Sequence, residues 1–269
     1  MLVFLGGVIL FFAVLYVLLY RLLIIPGAKV QKDLFAQKVV ARIHAVVDGE
    51  QNRLATIAKD WSNWDAMVAY VCRPNAGFER ESLPAGVLSD IDMDLLAIED
   101  AAGKRVFFTN RRGPQGVPAS FREVEDRQEP LWGLLAERAD PSLRRWLVAS
   151  WNGPWLLVSA PILGSDGKPP ARGRLIFGRR IDSAFGTRIA QVLSESCRLD
   201  CSWGRPFQAP RAAPPSGISP YRLSERTGRL VITTDMRDSF GNEAFQVTVT
   251  TATEFDADRR ALQLQHLAE

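Results

Sequence analysis

The stretch Asp60-Trp61-Ser62-Asn63-Trp64-Asp65, followed by Tyr70 and Val71, places aromatic rings and carboxylates at the end of a long helical pattern. Apolar side chains precede it at alternating three- and four-residue steps, the spacing of a helix that packs along one seam. The members of this seam are Val40, Ile43, Val47, Leu54, Ile57, Trp61, Trp64, Val68 and Val71. The spacing predicts a stem helix over residues 27–72 that ends in the aromatic group.

The seam has one polar member, Glu50, which lies next to Gly49. Glycine is a poor helix former, so we expect the stem to be weak at this point. An apolar stripe of this length would be costly if it were exposed to water. We therefore expect two copies of the chain to form a homodimer through Val40, Ile43, Val47, Leu54 and Ile57.

The composition is that of a folded protein without unusual charge. Hydrophobic residues make up 47% and charged residues 23% of the 269-residue chain, which are ordinary fractions for a globular protein. The formal net charge is +3, and basic residues are scattered among acidic ones without an aromatic–basic stripe. Nucleic-acid binding is therefore not expected. The length allows one large or two small domains.

An apolar run covers residues 2–25, with Arg21 as its only charge. As a helix these residues extend about 36 Å, enough to cross the hydrocarbon core of a bilayer. The alternative is a cleaved signal peptide, but no basic residue precedes the run and no A-x-A cleavage site follows it. We therefore expect residues 1–26 to form a single-pass anchor surrounded by membrane lipid. By the positive-inside rule, the basic residues after it would place the main domain in the cytoplasm.

Beyond the stem, apolar alternation and turn signals predict an antiparallel sheet with helices on one face, an α+β fold. The predicted hairpins are 94–98 with 105–109, 155–163 with 172–180, and 229–234 with 245–251. The predicted helices are 131–139, 141–149, 181–196 with Asp182 as its cap, and 256–268. We divide this part into a core over residues 73–196, and a distal hairpin with a C-terminal helix over residues 197–269.

The side chains needed for most catalytic schemes do not occur in a suitable pattern. The two histidines, His44 and His266, belong to no recognisable pairing of a nucleophile with a base. Cys197 and Cys201 are four residues apart, so a disulfide is possible in a helix or turn but not across about 13 Å of extended strand. Two cysteines without a nearby histidine are half a metal site. We expect no enzyme activity, no metal and no cofactor.

Six residues are candidates for binding a small ligand, because aromatic walls and a charged group that fixes orientation are typical of such sites. They are Trp61, Trp64, Asp65, Tyr70, Trp151 and Arg179. A second interpretation stays open for both kinds of residue. The tryptophans are also compatible with ordinary core, and Asp65 with Arg179 is compatible with an ion pair that locks the helix to the sheet.

The order of the motifs resembles a known family. Asp60-Trp61-x-x-Trp64-Asp65-x-x-x-x-Tyr70-Val71 is followed by Leu95-x-x-Ile98-x-Asp100-x-x-Gly103, then by Trp155-Leu156-Leu157-Val158-x-x-Pro161-Ile162 and Gly173-Arg174-Leu175-Ile176-Phe177-Gly178-Arg179-x-Ile181-Asp182. This order is similar to that of the type-four CHASE sensory domain, an extracytoplasmic input module of bacterial and archaeal signalling proteins. The resemblance covers about residues 35–185, and Asp238-x-x-Gly241-Asn242 looks like the distal hairpin that often follows.

The resemblance implies a PAS/Cache-like sheet and a periplasmic domain at the inner membrane, against the charge bias. It also implies a cytoplasmic output domain, such as a diguanylate cyclase, a phosphodiesterase or a histidine kinase. No second apolar run precedes Glu269, so we expect the input part of a longer protein or a single-anchor form. The expected function is a sensory input domain that detects a small ligand or an envelope state and relays it by helix motion. The alternative is a membrane-tethered periplasmic interaction or assembly protein without signalling output.

Overall fold

The computed structural model describes residues 2–84, 86–111, 142–149, 153–200, 219–226 and 228–252. The helices are α1 (Leu2–Leu19), α2 (Ile25–Ser62), α3 (Asp65–Cys72), α4 (Ala76–Ser82), α5 (Val87–Asp90) and α6 (Ser183–Leu193). The strands are β1 (Leu95–Asp100), β2 (Arg105–Asn110), β3 (Arg144–Val148), β4 (Trp155–Ile162), β5 (Gly173–Arg180), β6 (Ser196–Asp200), β7 (Tyr221–Arg226), β8 (Arg229–Arg237) and β9 (Glu243–Ala252). The described part is therefore an α+β fold.

The predicted membrane anchor is not confirmed. The apolar run is divided among α1, a π-helical turn over Tyr20–Ile24 and the first residues of α2. Within the described ranges, no helix combines the length and the apolar composition needed to pass through a bilayer.

The stem is two helices, not one. α2 ends at Ser62, whose carbonyl accepts hydrogen bonds from the backbone N–H groups of Leu163 (3.1 Å) and Gly164 (3.4 Å). Trp64 then takes an extended conformation, with φ −76° and ψ 130°, before α3 begins. The prediction of one helix over residues 27–72 is wrong at this point. The loop after β4 donates hydrogen bonds to the Ser62 carbonyl, which would otherwise accept from an N–H in the next turn of the helix.

The apolar seam of the stem lies against sheets of the same chain. α2 packs on β4 and β5, on α6 and on β7. Val40, Ile43 and Leu54 are 0% exposed and Val47 is 4% exposed, while Ile57 is half-buried against the same core. The prediction of a dimer seam through these five residues is therefore wrong. Their spacing correctly indicated a buried stripe, but the stripe is buried by the domain itself.

The first sheet is antiparallel, with strand order β2-β1-β5-β4-β3. Both hairpins predicted for it are confirmed, and Gly103 takes a positive φ of 77° in the turn between β1 and β2. The predicted helix over residues 141–149 is wrong, because β3 occupies this segment. Trp146 and Val148 are buried on one face of β3, and Leu147 is buried on the other. A strand that is buried on both faces does not show the alternation of apolar and polar residues that identifies a half-buried strand.

The second sheet is also antiparallel, with strand order β6-β9-β8-β7. The third predicted hairpin is confirmed as β8 and β9, and α6 is capped by Asp182, whose side chain accepts from the N–H of Phe185 (3.1 Å). The strand β7 was not predicted. The predicted helices over residues 131–139 and 256–268 lie outside the described residues. Side chains of both sheets share one core under the stem.

Candidate functional site

The ligand-binding candidates do not form one site. Trp61, Trp64 and Asp65 lie at the break between α2 and α3, Tyr70 lies in α3, and Arg179 lies on β5. Trp151 is outside the described residues. The candidates therefore have to be taken as separate groups along the contact between stem and first sheet.

The two tryptophans form a stacked pair with different exposure. Their ring centroids are 5.0 Å apart with an interplanar angle of 25°. Trp61 is 8% exposed and also meets the edge of Phe177 on β5, at 5.3 Å and 76°. Trp64 is 36% exposed. Trp61 is thus core that fixes the stem to the sheet, whereas Trp64 offers an accessible aromatic surface.

Asp65 binds the loop after β4 and does not pair with Arg179. Its Oδ1 accepts from the backbone N–H of Ser165 (2.9 Å), and its Oδ2 accepts from the Ser165 hydroxyl (2.8 Å). These two hydrogen bonds lower the pKa of Asp65. The neighbouring Gly164 has φ +80°, and a Cβ there would lie 3.0 Å from Asp65 Oδ1. The contact therefore requires glycine at position 164. The alternative interpretation, an ion pair between Asp65 and Arg179, is wrong.

Tyr70 is a structural residue that connects α3 to α4. Its ring is 1% exposed and stacks on Phe78, with centroids 4.7 Å apart. Its hydroxyl donates to Glu79 Oε1 (2.8 Å). Burial, followed by the hydrogen bond and charge of Glu79, raises the pKa of Tyr70. The Tyr70 side chain itself is therefore buried and does not offer a surface to a ligand.

Arg179 forms the buried centre of an ionic group that joins four elements. Its Nη1 donates to Glu50 Oε1 on α2 (3.0 Å), and to the carbonyl (3.0 Å) and Oδ2 (2.6 Å) of Asp92, before β1. Glu50 also accepts from Arg53 Nη2 (2.7 Å) and from Arg188 Nη1 on α6 (3.2 Å). We call these five residues the arginine cluster. The side chains of Arg179 and Glu50 are each 7% exposed, and those of Arg53 and Arg188 are 35% exposed.

The charges in the arginine cluster stabilise one another. Burial on its own raises the pKa of Glu50, but the hydrogen bond from Arg53 and the charges of Arg179 and Arg188 outweigh it, so the net pKa is lowered. The pKa of Asp92 is lowered in the same way, with Arg179 as the main partner. Asp92 has φ +53°, a conformation that only some non-glycine residues tolerate. This backbone conformation accompanies the binding of both its carbonyl and its carboxylate to Arg179.

The partners of Glu50 were not foreseen from the sequence. We expected a weak point in the stem beside Gly49, and Glu50 there joins the stem to the first sheet through Arg179 (3.0 Å). A carboxylate within an apolar stripe is costly to bury unless it meets a cation. That signal predicts a basic partner from elsewhere in the chain, although it does not identify Arg179 as that partner.

Cys197 lies half-buried in β6, and burial raises the pKa of its thiol to about 11. Cys201 is outside the described residues, so the disulfide between them stays a prediction. The backbone from Cys197 to Asp200 is extended, which is the conformation that disfavours the bridge. In the described ranges, no three side chains of His, Cys, Asp or Glu are grouped so that they could hold a metal ion.

A cleft of about 320 Å³ lies between the first turns of α2 and the second sheet. Lys29, Asp33 and Tyr221 line it together with the apolar side chains of Leu223 and Leu230. It contains none of the residues predicted to bind a ligand. Its lining mixes charges of both signs, so its chemistry does not indicate one class of ligand.

Sequence comparison relates the chain to signalling proteins. A family model of the CHASE4 domain matches residues 46–200. The methanogenesis regulatory histidine kinase FilI of Methanothrix harundinacea (strain 6Ac) is 27% identical over 170 residues. That alignment covers 59% of this chain and 19% of FilI, so the chain spans about a fifth of the length of this relative.

Two solved structures share the fold. The extracellular domain of vpHK1S-Z8 aligns with a TM-score of 0.51 at 12% identity, over 85% of this chain and 95% of that domain. The periplasmic domain of Vibrio cholerae LuxQ aligns with a TM-score of 0.50 at 14% identity, over 81% of this chain and 98% of that domain. At such identities the likeness concerns the fold alone.

The family match agrees with the resemblance seen in the sequence. It begins within the stem, includes the aromatic stretch at the end of α2, and extends through both hairpins of the first sheet. It covers more than half of the chain. The chain therefore belongs to the CHASE4 domain family and carries a sensory domain of the extracellular kind.

Proposed function

We propose that this domain detects a small ligand or a state of the cell envelope and relays it by movement of the stem to an output domain in the cytoplasm. The observation that carries the proposal is the buried contact between Glu50 on α2 and Arg179 on β5 (3.0 Å). It joins the helix that would carry the signal to the sheet that would receive the stimulus. CHASE4 family membership supports the same conclusion.

The arginine cluster is suited to two alternative arrangements. It joins α2, β5, α6 and the segment before β1 through hydrogen bonds and charges, and the proposal requires a second arrangement in which these bonds have other partners. Arg53 and Arg188 are partly exposed, so a ligand or an ion can reach the edge of the cluster. A stimulus shifts the stem only if it binds one arrangement more tightly than the other.

The proposal includes a homodimer, which would have to pair through a surface other than the buried seam. The alternative function is an interaction or assembly domain with no signalling output. In that case the arginine cluster would be a permanent attachment between stem and sheet, and no ligand would change its geometry. Detection of a small ligand differs from the assembly function in that it requires a small molecule to bind the domain.

The location is tested with reporter fusions. Alkaline phosphatase fused after Glu269 should be active in a bacterial host, because the enzyme needs disulfides that form outside the cytoplasm. A cytoplasmic reporter at the same junction should be inactive. The opposite pattern would place the domain in the cytoplasm and contradict its proposed role as a detector outside it.

Ligand detection is tested by thermal unfolding of the full chain with amino acids, short carboxylates and amines. A bound compound at about 100 times its Kd should stabilise the fold by about 2.7 kcal/mol. The control is Arg188→Gln, which changes the edge of the cluster while leaving the buried Glu50–Arg179 pair in place. A compound that acts at the cluster should lose its effect in this variant. Absence of any shift across the panel would contradict detection of these classes of small molecule.

A further inference from the structure

The turn between β8 and β9, residues 238–242, is shaped by its own first residue. Asp238 is 2% exposed, and its Oδ1 accepts from the backbone N–H groups of Phe240 (2.9 Å) and Asn242 (2.8 Å). Its Oδ2 accepts from Asn242 Nδ2 (3.2 Å). Gly241 completes the turn with φ +86°. A buried carboxylate that collects these donors holds the turn in one conformation.

The preformed turn binds the edge of the first sheet. The backbone N–H of Ser239 donates to the carbonyl of Leu147 (2.8 Å), and the N–H of Leu147 donates to the Ser239 hydroxyl (2.9 Å). The N–H of Ala149 donates to Asp238 Oδ2 (3.3 Å). β3 is the terminal strand in the order of this sheet, so these bonds occupy backbone groups on the side away from β4.

Phe240 extends this contact into the core. It is 2% exposed and belongs to a buried apolar cluster with Trp146, Val148, Trp155 and Leu157. These cluster members lie on the face of the first sheet that is turned away from the stem, because their neighbours along each strand belong to the core under α2. The ring therefore joins the second sheet to the first on the side where the stem does not.

The turn connects the first sheet to the two inner strands of the second sheet. β8 and β9 are the inner strands of that sheet and are paired along their whole length. β3 pairs with β4, on which the stem packs. A continuous route of backbone hydrogen bonds therefore runs from β4 through β3 and the turn to the centre of the second sheet.

We propose that the turn over residues 238–242 couples the two sheets on the face turned away from the stem, in addition to the core that they share under α2, with Phe240 as its anchor and Ser239 as its backbone link. Through it, a shift of β3 and β4 displaces β8 and β9, and the two sheets unfold as one unit. This role does not depend on what the domain detects. It holds equally for a sensor and for an assembly domain.

The test uses the full chain with Phe240→Ala, and with Phe245→Ala as the matched control. Phe245 is 1% exposed on β9 of the same hairpin, but it belongs to the core under the stem. Wild-type protein and Phe245→Ala should each unfold in one thermal transition, at a lower temperature in the variant. Phe240→Ala should unfold in two. Its amide hydrogen exchange at Leu147 and Ala149 should be faster by about tenfold, because both bonds to the turn are weakened.

Ser239→Ala is a milder change than Phe240→Ala. It retains the Phe240 ring and removes only the hydroxyl that accepts from the Leu147 N–H. Exchange at Leu147 should rise in this variant while the amides of β8 and β9 stay protected. The proposal is overturned if Phe240→Ala, like Phe245→Ala, unfolds in one transition with Leu147 and Ala149 still protected. If Phe240→Ala does not fold, unchanged exchange at Leu147 in Ser239→Ala overturns it instead.

Discussion

Trp61→Ala should lower the free energy of unfolding by about 3–5 kcal/mol, the usual cost of removing a large aromatic side chain from a core. Trp61 is 8% exposed and contacts both Trp64 and Phe177, so its removal leaves a cavity between α2 and β5. Denaturant unfolding of the full chain, followed by circular dichroism, measures the change.

Trp64→Ala is the matched control, because it removes the same side chain three residues away. Trp64 is 36% exposed, and its main loss is the stacking on Trp61, which we expect to cost about 1 kcal/mol. The sequence alone does not indicate which of the two tryptophans contributes more to the free energy of unfolding. Equal losses in the two variants would mean that Trp64 is as buried as Trp61 and would contradict the structure.

Glu50→Leu should be destabilising by up to about 3–5 kcal/mol, because the buried guanidinium of Arg179 loses its partner on the stem and retains only Asp92 (2.6 Å). Adding Arg179→Leu should recover part of this loss, since two apolar side chains of similar size can replace a buried ion pair. Unfolding free energies of the single and double variants give the coupling between the two residues. Additive losses would mean that the pair does not hold the stem.

An exposed ion pair of the same stem provides the control. Lys32 and Glu225 are 2.9 Å apart, with side chains 37% and 51% exposed. Lys32→Ala should change the free energy of unfolding by no more than about 1 kcal/mol, because water and salt screen such pairs. The contrast between Lys32→Ala and Glu50→Leu separates the effect of burial from the effect of charge alone.

The Glu50 pair also makes stability depend on pH. The pKa of Glu50 is lowered in the folded protein: burial opposes this, but Arg53, Arg179 and Arg188 outweigh it. A carboxyl of this kind contributes stability above its unfolded pKa, and the contribution is lost as pH falls through the folded pKa. The decline of stability in acid should therefore be shallower in Glu50→Leu than in the wild type. An unchanged decline would mean that Glu50 is not ionised in the fold.

The hairpins were predictable from the sequence because their signals are local. Gly103 permits the turn between β1 and β2, and Asp182 caps α6 three residues before its partner Phe185. β3 could not be predicted, since Trp146 and Leu147 are both buried on opposite faces and the alternation disappears.

The candidate site was harder to predict because its contacts are distant in sequence. Arg179 and Glu50 are separated by 129 positions, and Asp65 meets Ser165 across 100. The sequence identifies Asp65 and Arg179 as charged residues near aromatic ones, but their partners depend on how the chain folds back. The apolar stripe of the stem shows the same difficulty, because its spacing does not distinguish a second chain from a sheet of the same chain.

The hydrogen bonds at the Ser62 carbonyl restrict how the stem can move. A slide of α2 by one residue is about 1.5 Å along its axis and would break its bonds to both Leu163 and Gly164. A tilt about Ser62 keeps those bonds. Lys32 lies about 45 Å from this pivot, so a tilt of about 10° would carry it roughly 8 Å sideways. Because Lys32 pairs with Glu225 on β7, a tilt of α2 about Ser62 would have to carry the second sheet with it.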